Sequence, residues 1–190
     1  MSGKPKAYIS AEDSALLRRS LEGFKGAAFL EVGAGNAGTL VGLSGRFGMT
    51  VGTDIVRPET DDWKAKASYV LCDRASCFRG SSFDLVAFNP PYLRGGASDA
   101  AVEGGRELEV PLRFLREALR VVKPVGRVVF LLNDGAELPV FSKECLKAGF
   151  ALRKLVSERL FFEEIAVYEA VPLEEDAEDR AGAGVHKPSS

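Results

Sequence analysis

The tetrapeptide Asn89-Pro90-Pro91-Tyr92 closes an apolar run, Phe83 to Phe88, and carries the residue types needed to grip an amino group on a planar carbon. Such an amino group, in a carboxamide or an adenine ring, is a poor nucleophile because its lone pair is delocalised. Its two N–H bonds are what a site can hold. The Asn89 side-chain oxygen and the Pro90 carbonyl offer one acceptor each, and the Tyr92 ring can stack on the planar group. Both prolines fix φ, lack an N–H and push the preceding residue away from the helical region, so the strand must stop and Asn89 is held at its end. Asn89, Pro90 and Tyr92 are therefore the expected catalytic residues. With Pro91 they form the expected acceptor site.

Upstream lie the parts of a nucleotide-like cofactor site. The run 27–32 ends on Glu31 and is followed by Gly33-Ala34-Gly35-Asn36-Ala37-Gly38, a turn that can approach a ligand closely ahead of a helix N-terminus. The third glycine comes one place later than in the dinucleotide fingerprint, and a carboxylate in front of the turn would oppose a pyrophosphate. Glu31 suits the ammonium of an amino-acid-like cofactor instead. A second run, 49–55, brings Asp54 and Ile55 about twenty residues past the glycine turn, a separation at which an acid takes ribose hydroxyls. A third, 68–71, leads to Asp73, placed to accept from an adenine amino group. Glu31, Gly33, Gly35, Asn36, Asp54, Ile55, Asp73 and Asn89 are the expected cofactor-binding residues.

These residues need strands to deliver them to one edge. Runs 27–32, 49–55, 68–71 and 83–88 are short, apolar and rich in β-formers, as buried parallel strands are, and open α/β sheets bind ligands at the carboxyl ends of such strands. Residues 15–21 read as a capped amphipathic helix, 39–46 and 111–122 as two more, and 136–148 as another. The turn at 124–126 leads to a strand at 127–132. Runs 151–162 and 165–171 read as a closing antiparallel pair. Residues 93–108, rich in Gly, Ala and charge, read as a lid.

The chain has 190 residues, a net charge of −2 and a pI of about 5.6, which give no global footprint for nucleic acid. No run approaches a membrane span and no apolar signal segment opens the chain, so a cytoplasmic protein is expected. Three scattered cysteines and a single His argue against a disulfide framework and against a zinc site of its own. Residues 1–172 are read as one domain and 173–190, acidic and then rich in Gly, Ala, Ser and Pro, as a disordered tail.

The order of these motifs resembles the class I S-adenosylmethionine-dependent methyltransferases. Glu12-Asp13-Ser14-Ala15-Leu16-Leu17, Gly104-Gly105-Arg106-Glu107-Leu108-Glu109-Val110 and Leu160-Phe161-Phe162-Glu163-Glu164-Ile165 resemble segments of the short archaeal and eukaryotic branch of the HemK/PrmC glutamine methyltransferases, over residues 8–171. Ser10, Leu108 and the displaced Gly38 depart from that branch; none of them touches Asn89 to Tyr92. The resemblance implies a Rossmann-like fold, a mostly parallel seven-stranded sheet with an antiparallel last strand and helices on both faces. It implies S-adenosylmethionine as cofactor, the Gln of the Gly-Gly-Gln motif in a class 1 release factor as acceptor, and Arg106 as a substrate-binding residue. A small zinc-binding activator protein is the implied partner, pairing with the third strand's edge. The rivals are an adenine-N6 methyltransferase of DNA or RNA using the same corner, a protein lysine methyltransferase, and a binding subunit without catalysis.

Overall fold

The structure, a computed structural model, describes residues 11–90, 108–133, 138–160 and 163–174. Its elements are α1 (Ala11–Ser20), β1 (Gly26–Val32), α2 (Gly38–Leu43), β2 (Phe47–Asp54), β3 (Ser68–Leu71), β4 (Phe83–Phe88), α3 (Glu109–Val121), β5 (Val122–Asn133), α4 (Leu138–Lys147), β6 (Phe150–Leu160) and β7 (Glu163–Pro172). The seven strands form one sheet in the order β3-β2-β1-β4-β5-β7-β6. Strands β1 to β5 pair in parallel, and β7 runs antiparallel between β5 and β6. The expected sheet, including its antiparallel last strand, is the one observed.

Period-two alternation explains how both faces of the sheet are covered. Leu30 and Val32 on β1, with Val86 and Phe88 on β4, belong to the apolar cluster that Leu112, Leu115 and Phe141 of α3 and α4 complete. Phe29, Leu85 and Ala87 belong to the opposite cluster, completed by Leu16 and Leu17 of α1, Leu21 just after it, and Leu40 and Leu43 of α2. The end of β4 is braced by aromatic packing: Phe88 lies parallel to Phe130 at 5.0 Å between ring centroids and 5.9 Å from Phe114.

Several boundaries differ from the sequence reading, among them the start of α1, at Ala11 rather than at 15. The helix after the glycine turn ends at Leu43 rather than at 46, because Ser44 is extended and Gly45 takes a φ of +86° that a continuing helix excludes. Strand β5 already begins at Val122: Phe83 pairs with Val122 and Leu85 with Arg127, so the expected turn at 124–126 is an outward bulge within the strand. Strand β2 starts at Phe47 and stops at Asp54, leaving Ile55 beyond it. Pro91, Tyr92 and Arg106, with most of the 93–108 segment and of the 173–190 tail, lie outside the described residues. Among the described residues no helix is long and apolar enough to cross a membrane.

Candidate active site

The parallel ladders fix which strand ends meet. Val32 stands opposite Thr53 on β2 and Phe88 on β4, so Glu31, Asp54 and Asn89 leave the sheet at the same edge. There the chain bends sharply: the Gly33 and Ala34 N–H groups both donate to the Thr53 carbonyl, at 2.8 and 2.9 Å. Gly33 has a φ of +75°, and a Cβ on it would come 3.2 Å from Phe114, so both backbone and space call for glycine. One turn later Ala37 also sits in the left-handed region, at φ 62°, where α2 begins.

Asp54 holds this turn rather than standing free. Its carboxylate accepts from the Gly35 N–H at 3.0 Å and from the Val56 N–H at 3.1 Å. The far side of the turn is tied by Tyr69, whose hydroxyl donates to the Gly35 carbonyl at 2.9 Å, and by Asn36, whose side-chain oxygen accepts from the Glu59 N–H at 3.2 Å. Burial, with the Asp54 and Glu31 carboxylates nearby, pushes the Tyr69 hydroxyl above its ordinary pKa, which keeps it a donor.

Inside the turn lies a cavity of about 450 Å³ lined by Ser14, Leu17, Arg18, Glu31, Gly33, Gly35, Asn36, Thr39 and Asn89, among others. Two of these side chains are buried with polar atoms that no hydrogen bond satisfies among the described residues. Glu31 is 7% exposed and leaves Oε2 unpartnered; Asn89 is 8% exposed and leaves both Oδ1 and Nδ2 unpartnered. A buried amide or carboxylate without partners costs roughly 1–3 kcal/mol or more, and such groups in a cavity are those a ligand would satisfy. Burial drives the Glu31 carboxyl from 4.5 up to about 8, opposed by a hydrogen bond from Thr39 and reinforced by Asp54. A cation entering the cavity would reverse that penalty and restore the carboxylate.

Of the expected cofactor residues, then, the fold brings Glu31, Gly33, Gly35, Asn36 and Asn89 to one cavity. Asp54, Ile55 and Asp73 are not in its wall. Asp54 shapes the turn from outside; Ile55 is 73% exposed; Asp73 is exposed and paired with Arg74 at 2.9 Å. The Cys72 N–H donates to the Asp54 carbonyl at 2.9 Å, so Asp54 and Asp73 follow one another along the open rim beside the cavity. Pro90 is buried directly after Asn89.

The sequence reading missed Ser14, Leu17, Arg18 and Thr39. Helix α1 reads as a packing helix because Leu17 and Leu21 are deeply buried, and that stripe hides the polar pair Ser14 and Arg18, four residues apart and hence on one face. A polar pair at that spacing beside a buried stripe was the available signal.

The residues present fit an amino-acid-bearing nucleoside: an orphan carboxylate for an ammonium, a glycine turn, and two acids on the adjoining rim. No family model matches the chain. It is 26% identical over 181 residues to a Methanocaldococcus jannaschii protein named "Putative protein N5-glutamine methyltransferase", covering 87% of this chain and 92% of that one. Among solved structures it superposes on one chain of the E. cuniculi Mtq2-Trm112 complex, which is responsible for methylation of the translation termination factor eRF1, with a TM-score of 0.67 and 22% identity over 87% of this chain and 98% of that chain. The Thermus (T.) thermophilus 16S rRNA N2 G1207 methyltransferase, solved with S-adenosylmethionine and guanosine, gives a TM-score of 0.65 and 22% identity over 88% of this chain and 44% of that longer one. The sheet order and these likenesses are those of the class I methyltransferase fold.

Proposed function

We propose that the chain is a methyltransferase of the protein N5-glutamine kind, transferring a methyl group from S-adenosylmethionine to the Gln of the Gly-Gly-Gln motif of a class 1 peptide chain release factor, a reading that its archaeal relative and the E. cuniculi structure support. One observation carries the chemistry: Asn89 is buried at the end of β4 with both ends of its amide unpartnered, on the wall that it shares with the orphan Glu31 oxygen. S-adenosylmethionine, when bound, supplies a methyl group carried on a cationic sulfur. Glu31 would hold its ammonium, the Gly33 to Gly35 turn would take the body of the amino-acid end, and Asp54 and Asp73 stand on the rim where they would meet the ribose and adenine.

The acceptor amide is held by its two hydrogens, one on Asn89 Oδ1 and one on the Pro90 carbonyl, which aims the nitrogen into the cavity. Tyr92, outside the described residues, is the residue that the sequence assigns to stacking on the amide plane. Holding a nucleophile in line in this way is worth up to about 7–11 kcal/mol in well-oriented systems. Asn89 takes no proton at neutral pH, and none has to be removed beforehand, because the nitrogen becomes acidic only as its new bond forms. Asn89 and Pro90 then hold the hydrogens until one passes to water.

The choice of glutamine over adenine rests on the segments resembling the HemK/PrmC branch and on the archaeal relative. A release factor as acceptor is supported by the E. cuniculi complex, which is responsible for methylation of eRF1. A zinc-binding activator belongs to the same reading, and two observations support it: β3 is an edge strand, and Leu71, Ile55 and Val56 beside it are 61%, 73% and 66% exposed. Such an edge presents unpaired backbone groups that a second chain can complete.

The test is transfer of labelled methyl from S-adenosylmethionine, with and without the activator, to a release factor carrying Gln or Ala in the Gly-Gly-Gln motif, with DNA and RNA in parallel. Label on the Gln form alone supports the reading. Label on nucleic acid alone replaces it with the adenine reaction.

A further inference from the structure

Helix α1 contributes a cation, Arg18, to the cavity. Arg18 lines the same cavity as Ser14, one helical turn before it, and as Glu31 and Asn89. Its aliphatic stem runs over α2, where a Cβ built on Gly42 would come 3.2 Å from Arg18 Cδ, so the stem is packed while the guanidinium is exposed. No hydrogen bond or ion pair ties that guanidinium among the described residues, whereas Arg19 beside it is paired with Glu158 at 2.6 Å. The glycine at 42 leaves room for this path, and a packed stem with a free head is how arginine reaches a ligand while losing little side-chain freedom.

We propose that Arg18 is a specificity-determining residue that binds the carboxylate of the amino-acid end of the cofactor, with the Ser14 hydroxyl donating to the same group. The inference rests on the cofactor half of the reading above and is independent of the acceptor. Glu31 and Arg18 then form a pair of opposite charges lining one cavity, matched to the ammonium and carboxylate of a zwitterion. A carboxylate accepting from a guanidinium fork and a hydroxyl gains charge-assisted hydrogen bonds. The pair also discriminates: a ligand with the ammonium but no carboxylate would leave Arg18 unsatisfied.

The experiment is calorimetric binding of S-adenosylmethionine and of decarboxylated S-adenosylmethionine to the full chain, to Arg18→Ala and to Arg18→Lys. The wild-type protein should prefer the carboxylate-bearing ligand. Arg18→Ala should bind it roughly tenfold more weakly while binding the decarboxylated ligand as before, so the preference collapses; Arg18→Lys should restore part of it. Unchanged binding of the decarboxylated ligand also shows that the variant is folded. Equal weakening of both ligands, or no weakening of either, overturns the role of Arg18 and leaves the cofactor reading standing. A wild-type protein that binds neither ligand overturns the cofactor reading and this inference with it.

Discussion

The two ends of β4 treat their polar side chains in opposite ways. At its start, the Asp84 carboxylate accepts from the Ala27 and Ala28 N–H groups at 3.0 and 2.7 Å and from the Lys123 ammonium at 2.6 Å. At its finish, Asn89 is buried with neither amide atom partnered among the described residues. One end closes its hydrogen bonds within the chain, stitching β1, β4 and the β5 bulge together. The other keeps them open. Burying an unsatisfied amide costs stability, and that cost at the open end is what the proposed acceptor would offset.

Substitution at the open end should sharpen that contrast most. Asn89→Ala should lower the rate of methyl transfer by about 10²–10³-fold, the usual loss when one preorganised hydrogen-bonding group is removed from a reacting site. Its thermal midpoint should stay level or rise, because an unpaired buried amide has gone. Rate and midpoint measured on one preparation check both halves. A lowered midpoint with the rate retained would make Asn89 a structural residue.

Glu31→Gln should come next, weakening cofactor binding by roughly 10- to 100-fold through loss of a buried charge partner. Titration calorimetry reads this. The pH dependence follows from the carboxyl being raised in the free protein from 4.5 to about 8. Its contribution to the stability of the unliganded fold is full below the unfolded value and falls as pH rises, reaching its floor once pH passes through about 8. Denaturant melts of the free protein should therefore lose stability over that window, and Glu31→Gln should flatten this part of the slope. Below about 8, cofactor binding to the wild-type protein should release a proton, seen as a dependence of the binding enthalpy on buffer ionisation.

At the closed end the sign reverses. Burial raises the Asp84 carboxyl, but the bonds from Lys123, Ala28 and Ala27 outweigh it and hold it below its ordinary value of 3.8. Its contribution is present at neutral pH and is lost as pH falls through the carboxylate range. Asp84→Ala should lower unfolding stability by about 1–2 kcal/mol, discounted for its partial exposure, with transfer by the folded enzyme nearly unchanged. The smallest effect is expected from Tyr69→Phe, which releases the Gly35 carbonyl. Stability should fall by about 0.5–1.5 kcal/mol, and the KM for cofactor should rise while kcat holds.

The same contrast explains what was legible in the sequence. Apolar runs bounded by Gly, Pro and acids placed β1, β3 and β4 to within a residue, because a buried parallel strand leaves a continuous signal. The bulge at 123–126 was hidden: a Pro-Val-Gly turn looks the same whether it separates two elements or arches out of one strand, and only the Asp84 to Lys123 bond and the register across β4 decide it. Glu31 and Asn89 were readable since each ends a strand at the edge where such sheets bind ligands. Asp54 was readable as important, yet its bond to the Gly35 N–H depends on the width of the turn, which spacing does not encode. Arg18 and Thr39 could not be found by strand-end reasoning, as they reach the cavity from helices whose apolar stripes dominate their pattern.

The central claim is that the open end of β4 grips a planar carboxamide, and the most direct measurement is where the methyl group goes. Tandem mass spectrometry of a release factor incubated with the enzyme, the proposed zinc-binding activator and S-adenosylmethionine should find one added methyl on the Gln of the Gly-Gly-Gln peptide, absent with Asn89→Ala. A methyl on a lysine of that protein, or a glutamine methylated equally well by the Asn89→Ala enzyme, would contradict it.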